Sequence, residues 1–91
     1  MYQLQYSSRF KKELKQCAKR GYDLKKMEVV LDILASGKTI PAEYHDHPLH
    51  NNWHGHRDLH ITPDWVLIYK IEGNTVILLA ATGTHSDLFK K

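Results

Sequence analysis

Large apolar and polar side chains alternate along Tyr2-Gln3-Leu4-Gln5-Tyr6, the period of a half-buried strand. The period then lengthens. Phe10, Leu14 and Cys17 recur at helical spacing while Arg9, Lys12, Lys15 and Lys19 take other faces; Ser7 and Ser8 are candidate N-caps and Gly21 is the stop. Leu24, Met27, Leu31 and Leu34 repeat at intervals of three and four, with Asp23 as a cap and Ser36-Gly37 as the end. So short a connection predicts an antiparallel helical hairpin. From Thr39 to Gly55 no period is sustained and His, Asn and Pro are frequent, which predicts a long loop of the kind that is functional or disordered. Three strand signals follow: Arg57 to Ile61, the apolar run Trp65 to Ile71 after a Pro63-Asp64 turn, and Thr75 to Thr82 after Glu72-Gly73-Asn74. The expectation is one α+β domain over residues 1–91, in the order β-α-α-β-β-β. The helical hairpin should cover one face of a mainly antiparallel four-stranded sheet.

Charge changes the picture more than composition does. The net charge of +3 hides a split: residues 1–40 hold nine Lys/Arg against four Asp/Glu, and residues 41–91 hold four against six. All seven histidines lie in the second half. The basic half suits a polyanion and the histidine half suits proton transfer. Cys17 is the single cysteine, which excludes an intramolecular disulfide and fits a reducing compartment. No apolar run approaches the ~20 residues of a membrane span, and Met1-Tyr2-Gln3-Leu4 does not open a signal peptide, so a cytoplasmic protein without a membrane partner is expected.

Topology gathers candidate chemistry. The end of the Arg57 strand, the start of the Trp65 strand and the end of the Thr75 strand share one sheet edge, which brings His60, Asp64 and His85 together. His47, on the long loop, can fold over the same edge. Imidazoles beside a carboxylate suit RNA cleavage without a metal, because the 2′-OH must lose a proton and the leaving 5′-oxygen must gain one. Arg57 or a protonated histidine would balance the phosphate charge. Taken singly, a strand-end histidine is more often solvated, and Asp64 after proline more often shapes its turn. Convergence of four such groups favours chemistry. His45-Asp46-His47 and His54-Gly55-His56 offer metal donors, but the ordered spacings of a zinc or calcium motif are absent and no metal cofactor is expected. Cys17 and Trp65 read as core. Phe89, in a polar tail, suits either contact with a base or a clip for the C-terminus.

Taken together, Asp46-His47-Pro48-Leu49, Trp53, Arg57-Asp58-Leu59-His60, Pro63-Asp64-Trp65 with Leu67-Ile68-Tyr69, Thr82-Gly83-Thr84-His85 and Leu88-Phe89 resemble the YafQ-type toxins of the RelE-like superfamily. The resemblance covers nearly the whole chain; its second half is specific, and the N-terminal helices match only in pattern. It implies a ribosome-dependent endoribonuclease that cuts mRNA without a metal, with His47, His60, Asp64 and His85 as site residues and Phe89 assisting. It implies as partners a cognate antitoxin in a hetero-oligomer, the 70S ribosome and mRNA, with operator DNA reached only through the antitoxin. Where the family commonly offers a lysine after Trp53 this chain has His54, which would make phosphate binding there pH-dependent; His45, His50 and His56 are further additions. The combined reading takes Asp64 or His60 as the base, His85 as the acid, and Arg57, His54 and the helical Lys12, Lys15 and Lys19 as RNA contacts. A non-catalytic RNA- or ribosome-binding module is the alternative, followed by a small His-rich metal-binding protein.

Overall fold

The computed structural model describes residues 1–89. Strand β1 (Gln3–Tyr6) leads into helix α1 (Ser8–Lys19) and helix α2 (Leu24–Ser36). After 3-10 turns at Ala42–Tyr44 and Asn51–Trp53, which flank β2 (His47–Pro48), come β3 (Arg57–Thr62), β4 (Trp65–Glu72), β5 (Val76–Gly83) and a short α3 (His85–Leu88). The sheet has five strands in the order β1-β5-β4-β3-β2, not four. Strand β1 runs parallel to β5, and every other pair is antiparallel. The extra strand is the two-residue β2, too short to leave a period in the sequence; it lies in the stretch expected to be loop. The polar tail after β5 likewise contains a helix.

The helices form where the apolar repeat and its caps agree. The Ser7 hydroxyl accepts from the Phe10 amide at 3.0 Å, and Asp23 accepts from the Lys25 amide at 3.0 Å. Such caps stabilise a helix by about 1 kcal/mol each. Gly37 closes α2 in the left-handed region at φ +74, where a side chain would be strained. Phe10 and Cys17 from α1 and Met27, Val30 and Leu34 from α2 pack on one sheet face with Leu59, Ile61, Trp65, Leu67, Tyr69, Ile77 and Leu79. Removing a ring such as that of Phe10 from this layer costs about 3–5 kcal/mol.

The other face is covered differently. Val66, Ile68 and Ala81 meet Leu88 of α3, with Leu49, Trp53 and Phe89 packed alongside. Two register shifts help to set which residues point where. One lies between His60 and Thr62 of β3, and the other lies where Ile68 pairs with Ala81 but Tyr69 with Leu79. The second turns Thr82 toward the helices, where its hydroxyl accepts from Trp65 Nε1 at 2.8 Å and its amide donates to Glu13. A helical hairpin on one side, and a thin cover of loop and α3 on the other, leave an open sheet region over β3.

Candidate active site

Strand alternation decides the site. Leu59 and Ile61 of β3 face the helices, so Asp58 and His60 face the thinly covered side. His47 on β2 sits directly opposite Asp58 in register. His60 lies opposite Val66, which lies opposite Gly83, so the chain leaving β5 delivers His85 beside His60. The two imidazole Nε2 atoms are 3.3 Å apart. His47 stacks on His60 at 6.1 Å between ring centroids, and His45 meets it edge-on at 6.0 Å.

Beneath the rings lies Asp58, with 2% of its surface exposed. His47 Nδ1 stands 2.9 Å from Asp58 Oδ1 and 2.8 Å from the His45 carbonyl. The carbonyl contact has hydrogen-bond geometry; the carboxylate contact is an ion-pair distance only, and Asp58 Oδ1 has no hydrogen-bond partner. His60 Nδ1 is also buried without one. Burial pushes the Asp58 carboxyl above its ordinary value, against the pull of His47, His60 and His85. Burial pushes His60 below the ordinary imidazole value; Asp58 opposes this, while His85, His47 and His45 add to it.

Supporting contacts hold these groups from both sides. Thr84 and Asp87 form a capping box around the start of α3, so His85 is fixed on its first turn. Arg20, at the end of α1, reaches Asp87 at 2.7 Å and tethers that turn to the helical layer. This pairing, followed by the Thr84 amide, holds the Asp87 carboxyl down at about 2. On the loop side, Asp46 accepts from Arg57 Nη2 at 3.0 Å and from the Tyr69 hydroxyl, pinning the segment that carries His45 and His47. His45 takes a left-handed backbone, φ +49, to make the turn between them. Trp53 packs across α3, its ring under Arg9 at 5.2 Å and its Nε1 donating weakly to the Leu88 carbonyl at 3.4 Å.

The residues expected from sequence do not all meet. His47, His60 and His85 do. Asp64 is exposed on the turn after the register shift and lines a shallow pocket with Tyr22, Asp23, Lys26, Thr62 and Trp65. The carboxylate among the imidazoles is instead Asp58. Arg57 alternates to the helix side, opposite Tyr69 in register, and is paired with Asp46. His54 lines a separate groove with Pro48, Leu49, His50, His56, Arg57 and Ile71. Phe89 is half-buried against the second apolar cluster, with its ring 5.6 Å from that of His85. Lys12, Lys15 and Lys19 are exposed on α1. Asp58 was missed, although its signal was present: two residues before His60 in a strand means the same face.

Over residues 2–90 the chain matches the family described as the bacterial toxin of type II toxin–antitoxin systems, YafQ. The chain belongs to that family. It is 40% identical to the mRNA interferase toxin YafQ of Escherichia coli strain B over 87 residues, 94% of each chain. Its fold superposes on a crystal structure of the E. coli DinJ–YafQ complex with a TM-score of 0.89 and 39% identity, covering 98% of this chain and 99% of that one. A metal-bound toxin from Helicobacter pylori is 36% identical with a TM-score of 0.89, covering 98% of this chain and all (100%) of that one. The donor set here fits such a cation: Asp58, His60 and His85 each offer one ligand atom within 4.8 Å of the others. The orphaned Asp58 oxygen has the chemistry of a ligand. No helix among the described residues is long and apolar enough to cross a membrane.

Proposed function

We propose that this YafQ-family toxin is an endoribonuclease that cuts mRNA on the 70S ribosome by metal-independent acid–base chemistry. The observation that carries the reading is the His60–His85 pair, 3.3 Å apart over a buried carboxylate. Two imidazoles that close do not both carry a full proton, so one is a base while the other is an acid. Burial disfavours the cation on His60, which makes it the base; exposed His85 is the acid. His60 takes the 2′-OH proton as that oxygen attacks the adjacent phosphorus. The bond to the 5′-oxygen breaks, and His85 supplies the proton that the leaving oxygen needs. The products are a 2′,3′-cyclic phosphate and a 5′-hydroxyl. Asp58 steadies the cation formed on His60, and His47 faces the phosphate from β2. Each proton transfer is worth about 10²–10⁴-fold.

Phe89, with its ring 5.6 Å from that of His85, is a substrate contact at the rim, and Lys12, Lys15 and Lys19 are contacts with ribosomal RNA, while Asp64, in its pocket beside Tyr22 and Lys26, takes no part in the proton transfers. Arg57 is assigned to holding the loop rather than the phosphate, because it points to the helix side. His54 and its groove offer a neighbouring contact for RNA. An antitoxin partner follows from the DinJ–YafQ relative, with operator DNA reached through it, and the setting is the cytoplasm. Untagged protein with programmed ribosomes in a chelator tests the proposal. Cutting at a defined position in the A-site codon, lost in His85→Gln and His60→Gln, is expected. Binding without cutting would replace it with a non-catalytic ribosome-binding module.

A further inference from the structure

We infer that Arg9, held over the Trp53 ring beside α3, grips the mRNA phosphate one linkage 3′ of the cut. This rests on the proposed function, because the direction of the RNA is taken from His85 as the acid. The chain has three arginines. Arg20 Nη1 donates to Asp87 at 2.7 Å, and Arg57 reaches Asp46 through both Nε and Nη2. Arg9 is engaged differently. Among the described residues its hydrogen bond runs from Nε to Glu13 Oε2 at 3.1 Å, and neither Nη group has a partner. Its side chain is 51% exposed.

Several contacts hold that guanidinium in place. Glu13 is itself locked, because its other carboxylate oxygen accepts from the Thr82 amide at 3.1 Å; it orients Arg9 without covering the Nη pair. The guanidinium carbon lies 5.2 Å from the centre of the Trp53 ring, and His56 meets the same indole edge-on at 5.3 Å. Trp53 is tied in turn to α3 through the Leu88 carbonyl. A guanidinium stacked on an indole and bonded through Nε keeps its Nη donors for one more acceptor. A phosphate matches that planar fork and its charge. Position supplies the register. His85 opens α3 and Leu88 closes it, so Trp53, with Arg9 on its ring, flanks the far end of the helix whose start carries the acid. The oxygen that His85 protonates belongs to the nucleotide 3′ of the cut. The strand therefore leaves across α3, and its next phosphate is the one that meets Arg9. Arg9 thus supplies a permanent charge where the cluster itself has only imidazoles.

The test measures affinity of the toxin for programmed ribosomes whose message carries 2′-deoxy residues in the A-site codon, so that binding is read without cutting. A neutral methylphosphonate replaces each phosphate of that codon in turn, with wild type and Arg9→Gln compared on every message. On the ordinary message Arg9→Gln should weaken binding about tenfold or more. The methylphosphonate one linkage 3′ of the cut should weaken the wild type by a similar factor and add nothing in Arg9→Gln. Arg9→Lys, which keeps the charge and loses the fork, should recover part of the loss. A loss in Arg9→Gln that is the same factor on every message would mean a contact with ribosomal RNA or a purely structural role, and would overturn the inference. Affinity that Arg9→Gln leaves unchanged, or coupling to a phosphate on the 5′ side of the cut, would overturn it too. Coupling to a single phosphate by a wild type that never cuts the all-ribose message would leave the Arg9 contact standing and remove the nuclease reading instead.

Discussion

A buried carboxylate under three imidazoles trades stability for chemistry at the scale of single residues. Burial raises the Asp58 carboxyl, so its charged form is disfavoured in the fold and contributes least to stability at neutral pH. Asp58→Asn keeps the shape and removes that charge. Its melting temperature should equal or exceed that of the wild type, while cleavage falls by about tenfold or more as the His60 cation loses its partner. A clear drop in melting temperature would contradict the burial argument. His60 makes the rate depend on pH. Burial holds His60 below the ordinary 6.5, so the base form predominates at neutral pH and the acid limb of the rate profile should lie below pH 6.5. The unfolded chain takes up that proton first, so His60 also lowers stability as pH falls through about 6.5. Single-turnover rates between pH 5 and 8 check the limb; a midpoint above 6.5 would contradict His60 as the base.

At the scale of elements, α3 carries His85, the proposed acid, and α3 is held by Arg20 and its capping box. Asp87 is held at about 2, below its ordinary carboxyl value of 3.8, so its contribution is complete above about pH 4 and is lost as pH falls toward 2. Both partners are well exposed, so the effect is local. Arg20→Ala should leave global unfolding nearly unchanged, speed amide exchange in residues 85–88 and reduce cleavage; unchanged exchange would contradict the tether. The capping-box spacing of Thr84-His85-Ser86-Asp87 makes this short helix legible in the sequence. The hairpin was legible throughout: Ser7, Asp23, Gly21 and Gly37 stand at its ends. β2 was not, since two residues carry no period. Asp64 illustrates the limit of reading topology without register. The meander does bring the turn to the edge that carries His60, but the shift at His60/Thr62 puts Asp64 beside Tyr22 and Lys26 instead. Arg57 and Asp58 differ by one position, and alternation sends one to the helices and the other to the site.

Across the whole molecule, the charge split of the sequence becomes a division of labour. Basic α1 and charge-balanced α2 lie on one side of the sheet, and the imidazoles gather on the other. If exposed Lys12, Lys15 and Lys19 contact ribosomal RNA, replacing all three by Gln should weaken ribosome binding. It should also flatten its salt dependence by up to about 0.9 per lysine in the log–log slope, leaving cleavage by the bound toxin intact. An unchanged slope would place the contact elsewhere. In the proposed mechanism the histidine pair drives attack by the RNA's own 2′-OH. The most direct measurement is the chemistry of the cut ends, made on programmed ribosomes in a chelator and repeated on mRNA carrying a single 2′-deoxy residue at the cut site. A 2′,3′-cyclic phosphate and a 5′-hydroxyl are expected, with no cutting of the 2′-deoxy message. A 5′-phosphate end, or cutting that persists without the 2′-OH, would contradict it.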